Sequence, residues 1–401
     1  MAHPSAASFK TTETPSRQRR VAIVLYATTV FLFWFSQYIY VPTLPTFVQS
    51  KTTDLGIVGL VLSMYGLWQA VIRLPLGMAA DWLGRLKPFI LAGLACSGIG
   101  AWIMVTSSGV EGLALGRGIT GFAAGSWVPL VVAFTALFPP HEAVRASALL
   151  LLFNSLGRLV ATALAGPLGR VGGYQLAFYV AIGVSALSLI TLLPFREESR
   201  PTQTPSPASV RQFIVRRDVL LPAVLGGIVL YANWAISFGF MAVLVKQLGG
   251  DSVAQGAVVT GILVTTVLGN LIASSLASRV DSKYLVFASF ALISFGIAWA
   301  ALSQDLLMLF IAPVFLGIGG GIASPVLMGL SIENVADTGR STAMGVYQTI
   351  YAIGMFAGPA VSGAIAGAVG MQTMFAITAF ICLILGSFGT SLLQTGQVTS
   401  R

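Results

Sequence analysis

Three arginines stand where water is scarce. Arg73 lies in Q-A-V-I-R-L-P, Arg117 in L-G-R-G-I-T-G and Arg158 in F-N-S-L-G-R-L-V, each inside a long apolar run. Arg158 is close to the middle of its run, Arg117 in the outer third and Arg73 in the inner third. A guanidinium at the centre of a bilayer costs at least about 2.5–3.5 kcal/mol on insertion scales, so it should face a wet cavity or a partner. The chemistry available is a counter-charge for a bound molecule or a coupling element. Structural pairing is the alternative for Arg158, and snorkelling toward the membrane edge is the alternative for Arg73. Asn154 precedes Arg158 by one turn and shares its face, as Gln69 does for Arg73. Further cavity candidates are Gln37 and Tyr38, Asn233 and Trp234, and Tyr347, Gln348 and Tyr351. Tyr347 and Tyr351 share a helix face, and such aromatic stripes are more often packing than ligand boxes.

The thirteen acids fall elsewhere. All are placed in tails, loops or the ends of apolar runs, with Glu333 near the end of its run. With no carboxylate near the midplane, proton antiport through a buried acid is disfavoured. His3 and His141 have no metal-ligand company. No phosphate-binding loop and no hydrolytic cluster is present. The chain therefore reads as a non-enzyme, without metal or cofactor. Cys96 and Cys382 fall in apolar runs and read as reduced packing residues.

Composition identifies the elements that carry these residues. Only 9% of residues are charged and 56% are apolar, against about 25% charged in a soluble domain. Runs of about 20 apolar residues predict membrane helices. They occur at 21–43, 56–80, 88–107, 112–136, 145–168, 174–194, 219–244, 254–278, 284–303, 306–331, 341–368 and 371–393. The expected architecture is an all-α membrane protein of twelve helices in two pseudo-symmetric bundles of six. Its parts are an N-terminal tail (1–20), a first bundle (21–194), a linker rich in Pro, Ser and Arg (195–218), a second bundle (219–393) and a C-terminal tail (394–401). The net charge of +9 concentrates in alternate connections, which the positive-inside bias places in the cytoplasm together with both termini. That distribution explains the charge without a nucleic-acid partner. The first apolar run is long enough to span, so it reads as a membrane helix rather than a cleaved leader.

The two halves echo each other, as in transporter folds built from repeats. Gly121, Gly125 and Pro129 repeat their spacing in Gly317, Gly321 and Pro325. Arg145 opens R-A-S-A and Arg340 opens R-S-T-A; Gly166-Pro167 and Gly358-Pro359 follow late in the same runs. Small residues four apart let helices approach closely, and Gly and Pro permit bending.

Between the second and third runs lies G-M-A-A-D-W-L-G-R-L-K, with Gly77, Asp81, Gly84, Arg85 and Lys87. This resembles the signature loop of the major facilitator superfamily, and the resemblance covers essentially the whole chain. Gly77 would allow close helix approach, and Gly84 a tight turn. The resemblance implies that Asp81 accepts hydrogen bonds at the start of the eleventh helix, near Asp337 and Arg340, forming a latch that holds the outward-facing state. The equivalent loop of the second half has Ser278 in the acid's place. Arg117 with Gly121 resembles the family's fourth-helix motif. Gly157 to Pro167 partly resembles the fifth-helix motif of the drug–proton antiporter branch, with Thr162 and Arg170 departing from it.

The resemblance implies a secondary transporter in the plasma membrane working by alternating access. Its cargo would be a small molecule, with protons as the driving ion, and monomer is the family's usual state. Proton-driven efflux of small organic or amphiphilic compounds is the first expectation. Exchange or import of an organic anion through the intramembrane arginines is the second, and a non-transporting membrane sensor the third.

Overall fold

The computed structural model describes residues 16–139, 142–195, 197, 215–336 and 340–393, and contains no strand among them. The helices long and apolar enough to cross a membrane are span 1 (Ser16–Tyr38), span 2 (Leu55–Leu83), span 3 (Lys87–Thr106), span 4 (Val110–Thr135) and spans 5 and 6 within Ala143–Leu192. They continue with span 7 (Arg217–Gln247), span 8 (Ser252–Leu276), span 9 (Ser282–Leu302), span 10 (Leu306–Glu333), span 11 (Arg340–Val369) and span 12 (Met371–Ser391). Spans 5 and 6 divide at Gly172 and Gly173, where the backbone leaves helical geometry and Gly173 takes φ +65°. Counted so, the spans are the twelve expected.

Three helices differ from the sequence expectation. Span 1 stops at Tyr38 rather than continuing to 43. Pro42 has no amide hydrogen to donate and restricts Val41 before it. Span 4 is interrupted at Ser126. Pro129 lacks the hydrogen that would reach the Gly125 carbonyl, and its ring crowds that carbonyl. Span 7 carries an eight-residue π-helix, Asn233–Phe240. Such wide turns mark functional positions more often than ordinary helix does.

The packing is repeated between the halves. Span 1 packs on span 5 as span 7 does on span 11, span 2 on 4 as 8 on 10, and span 3 on 6 as 9 on 12. The repeated glycines sit at matching crossings. A Cβ at Gly121 would lie 2.8 Å from Tyr65 Cα in span 2, and one at Gly321 would lie 2.9 Å from Gly269 Cα in span 8. Only hydrogen fits such approaches. Large apolar residues, such as Leu307 (84% exposed) and Phe388 (64% exposed), face outward, which water would not favour and lipid does.

Candidate functional site

Spans 2 and 11, with spans 5 and 8, join the two halves. On the side away from the termini, here the far side, the join is tight. A Cβ at Gly59 would lie 2.8 Å from Gly363 Cα, and one at Gly166 would lie 2.7 Å from Val253 Cα. Polar ties cross the same level. Thr46 Oγ1 donates to Gln255 Oε1 at 3.0 Å, Ser252 Oγ to the Gly166 carbonyl at 3.0 Å, and Thr260 Oγ1 to Thr162 Oγ1 at 3.1 Å. Arg170 Nε donates to Asp251 Oδ2 at 3.2 Å, and Arg170 holds the Asp251 carboxyl below the ordinary carboxylate range. The far side is closed.

Beneath that closure lie two of the three arginines. The Arg117 guanidinium sits over the Tyr65 ring, Cζ 4.3 Å from its centroid, and 6.0 Å from Trp234 of span 7. Arg158 repeats the arrangement over Tyr38 at 4.3 Å, with Phe238 of span 7 at 6.0 Å. Trp234 and Phe238 belong to the π-helix, and their rings lie 5.3 Å apart. Each also meets the first half: Trp234 stacks on Tyr65 at 5.0 Å, and Phe238 is edge-on to Tyr38 at 5.8 Å.

Hydrogen bonding here is incomplete. Arg117 is 2% exposed and has the Tyr40 hydroxyl beside it, yet its Nε and Nη1 make no hydrogen bond of normal geometry among the described residues; nor do Arg158 Nε and Trp34 Nε1. Gln37 donates through Nε2 to the Thr120 carbonyl at 3.2 Å, leaving Oε1 unpaired. Asn233 Oδ1 and Gln69 Oε1 are likewise unpaired, and Asn154 is buried one turn before Arg158. Every described Asp and Glu stands at a helix end or in a connection.

Arg73 belongs to a second group, nearer the termini. Its Nη1 donates to Gln348 Oε1 at 3.1 Å and to the Tyr351 hydroxyl at 2.7 Å, across the halves. Snorkelling is not its role here, because span 11 supplies acceptors at its own depth. Tyr347 is edge-on to Tyr351 at 5.6 Å.

At the signature loop Gly84 takes φ +64°, the turn that glycine favours. Gly77 is not at a close crossing in this conformation: a Cβ there would meet only Val128 Cγ1, at 3.9 Å. Arg85 is exposed, and Lys87 Nζ donates to the Leu193 and Phe195 carbonyls. The side chains of Asp81 and Arg340, and residues 337–339, lie outside the described residues. Pro167 lies within span 5, before the break at Gly172, and Pro325 and Pro359 lie within continuous helices. Gly358 packs against span 7, where a Cβ would lie 3.1 Å from Ala235 N.

Sequence reasoning missed Tyr65, Phe238, Trp34 and Glu197. The four-residue spacing of Trp234 and Phe238 was the available signal for the ring pair. Glu197, accepting from the Leu86 and Lys87 amides at 2.7 and 2.8 Å, gave none.

The model of the Major Facilitator Superfamily matches residues 26–228 and 223–397. The chain belongs to this superfamily and is a transporter of its type, not an enzyme. It is similar to an uncharacterized MFS-type transporter of Methanocaldococcus jannaschii, 22% identical over 82% of this chain and 87% of the relative. It is also similar to the class D tetracycline resistance protein of Salmonella ordonez, 26% identical over 79% of this chain and 82% of that protein. In fold it matches a bacterial homolog of the human lysosomal transporter Spinster in an inward-facing, occupied conformation. That match has TM-score 0.80 and 16% identity, covering 94% of this chain and 97% of the other.

Proposed function

We propose that this transporter works by alternating access and exports small organic or amphiphilic compounds, with the proton gradient as its energy source. The observation that carries the reading is the division of the fold into two repeated halves whose close backbone contacts run from the far side to the level of a polar, aromatic centre, at Gly66 beside Tyr65. Parting the halves on the far side while the terminal side stays tied, and the reverse, would move the centre's access across the bilayer. The similarity to a tetracycline resistance protein favours the outward direction. With every described acid at a helix end or in a connection, the coupled proton would be taken at such an acid or carried by the substrate itself. Charge asymmetry favours cytoplasmic termini, and we take the plasma membrane as the setting and the monomer as the working unit.

A second reading, exchange or import of an organic anion, is favoured by the unpaired arginine donors. Spin labels at Trp82→Cys and Tyr284→Cys, exposed positions in opposite halves on the terminal side, test the mechanism in a background lacking Cys96 and Cys382. Two interconverting distance populations in liposomes are expected; a single fixed distance under every gradient would sink alternating access. Flux that follows an imposed proton gradient supports export, and flux accelerated by a carboxylate on the opposite face supports exchange.

A further inference from the structure

We infer that the substrate is a planar organic anion, held with its acidic group on Arg117 and its flat body against the rings that flank Arg117 and Arg158. The inference rests on the transporter reading, in either direction of transport, and names the class of molecule that the centre takes. Its first support is a deficit of acceptors. Arg117 offers two buried, unpartnered nitrogens, and Arg158 and Trp34 one each. No described carboxylate stands beside them. Ring faces do not fill the deficit. A ring face attracts the charge of a guanidinium but is no oxygen acceptor for its N–H groups, so the cost of leaving those donors unpaired stands. Oxygen acceptors bearing negative charge would satisfy the donors and the charge together. A neutral amphiphile supplies only the first, and a lipophilic cation worsens both.

The second support is the shape of the surroundings. Each guanidinium rests 4.3 Å from a ring of its own half, with a ring of span 7 at 6.0 Å. Tyr65, Trp234, Phe238 and Tyr38 form a continuous aromatic run across the junction of the halves. Flat π faces select flat cargo. Because the walls come from both halves, the occupant would touch the elements that must separate during transport.

Thermal unfolding of the purified protein in detergent tests this with three probes of similar size: 1-naphthoate, its neutral amide, and the 1-naphthylmethylammonium cation, each at about 1 mM, enough to saturate a micromolar site. Naphthoate is expected to raise the melting temperature. The amide should bind at least about tenfold more weakly, the loss of one charge-assisted contact, and the cation should not bind. Arg117→Gln should abolish the naphthoate shift. Since that variant could fail to fold, the acid–amide comparison on the unaltered protein stands without it. Equal binding of acid and amide, a preference for the cation, or no shift with naphthoate would each overturn the inference. A protein that switches between its two spin-label distances yet ignores naphthoate would lose the anion assignment alone. One with a single fixed distance would lose the transport reading.

Discussion

Arg73 of span 2 and Tyr351 of span 11 join the two halves by a hydrogen bond of 2.7 Å, with the guanidinium also 5.7 Å from the ring it serves. The contact lies fourteen residues, or about 21 Å of helix, from Gly59, where the same two helices meet on the far side. Spans 2 and 11 are therefore tied at both levels. A tie on the terminal side opposes opening there. Tyr351→Phe removes the hydroxyl but keeps the ring, and should shift the terminal-side equilibrium toward open by about 1.5–3 kcal/mol, the worth of one hydrogen bond to a charged group. Arg73→Gln should shift it further. Longer distances between labels at Trp82→Cys and Tyr284→Cys report the shift; unchanged distances in both variants would show that the tie holds nothing.

The far side offers the opposite lever. A side chain at Gly59 would collide with Gly363 and with the Pro359 carbonyl, which belongs to backbone and cannot swing aside. Gly59→Val should destabilise the far-closed arrangement by about 1–3 kcal/mol, the usual cost of overpacking, and favour the alternative in which spans 2 and 11 part. Gly183, with nothing within 4 Å of its Cβ position, is the control: Gly183→Ala should leave the distribution of label distances unchanged.

Acid should act on the far side through Asp251. Arg170 lowers its pKa in the closed arrangement, so the proton binds more tightly once the pair has separated. The tie therefore favours closure at any pH above the ordinary Asp range. It fades only as pH falls through the depressed value. Between pH 5 and 8 this contact should contribute a constant term, and Asp251→Asn at pH 7 should imitate strong acid. The pair is 66% and 48% exposed, so its worth is at most about 1 kcal/mol, and 1 M salt should reduce it. A distance between labels at Trp82→Cys and Tyr284→Cys that varied between pH 5 and 8 in the unaltered protein but not in Asp251→Asn would contradict this account.

Much of the fold was legible because lipid imposes a length on each apolar run, and twelve such runs survive as helices. The breaks were less legible. Span 1 ends early at Pro42 and span 4 yields at Ser126 because single prolines remove single hydrogen bonds, an effect that a 20-residue window averages away. At the centre, Arg117, Arg158, Tyr38 and Trp234 were visible as polar or aromatic residues in apolar runs. Their grouping was not visible, because it depends on spans 2 and 7, which are distant in sequence and brought together only by the join between halves. Tyr65 and Phe238 looked like ordinary packing for that reason. Arg73 was readable as a buried charge, but its partners Gln348 and Tyr351 lie 275 and 278 residues away.

Glu197 gives the last prediction, at the point where the first bundle passes into the linker. Its carboxylate accepts from the Leu86 and Lys87 amides at 2.7 and 2.8 Å, capping the start of span 3, while Lys87 Nζ donates back to Leu193 and Phe195. A helix start leaves amides unpaired and is positive, so a carboxylate there is favoured by hydrogen bonding and by the dipole. Glu197→Ala should cost about 0.5–2 kcal/mol, read as a lower melting temperature in detergent. Glu197→Gln retains one amide acceptor without the charge and should fall between. The reciprocal grip also fixes the linker's first residues to the signature loop, so loss of the carboxylate should free that end as well. A label at Arg85→Cys, exposed beside the grip, should gain mobility in Glu197→Ala. A lower melting temperature with unchanged label mobility would leave Glu197 as a helix cap and remove it as an anchor of the linker.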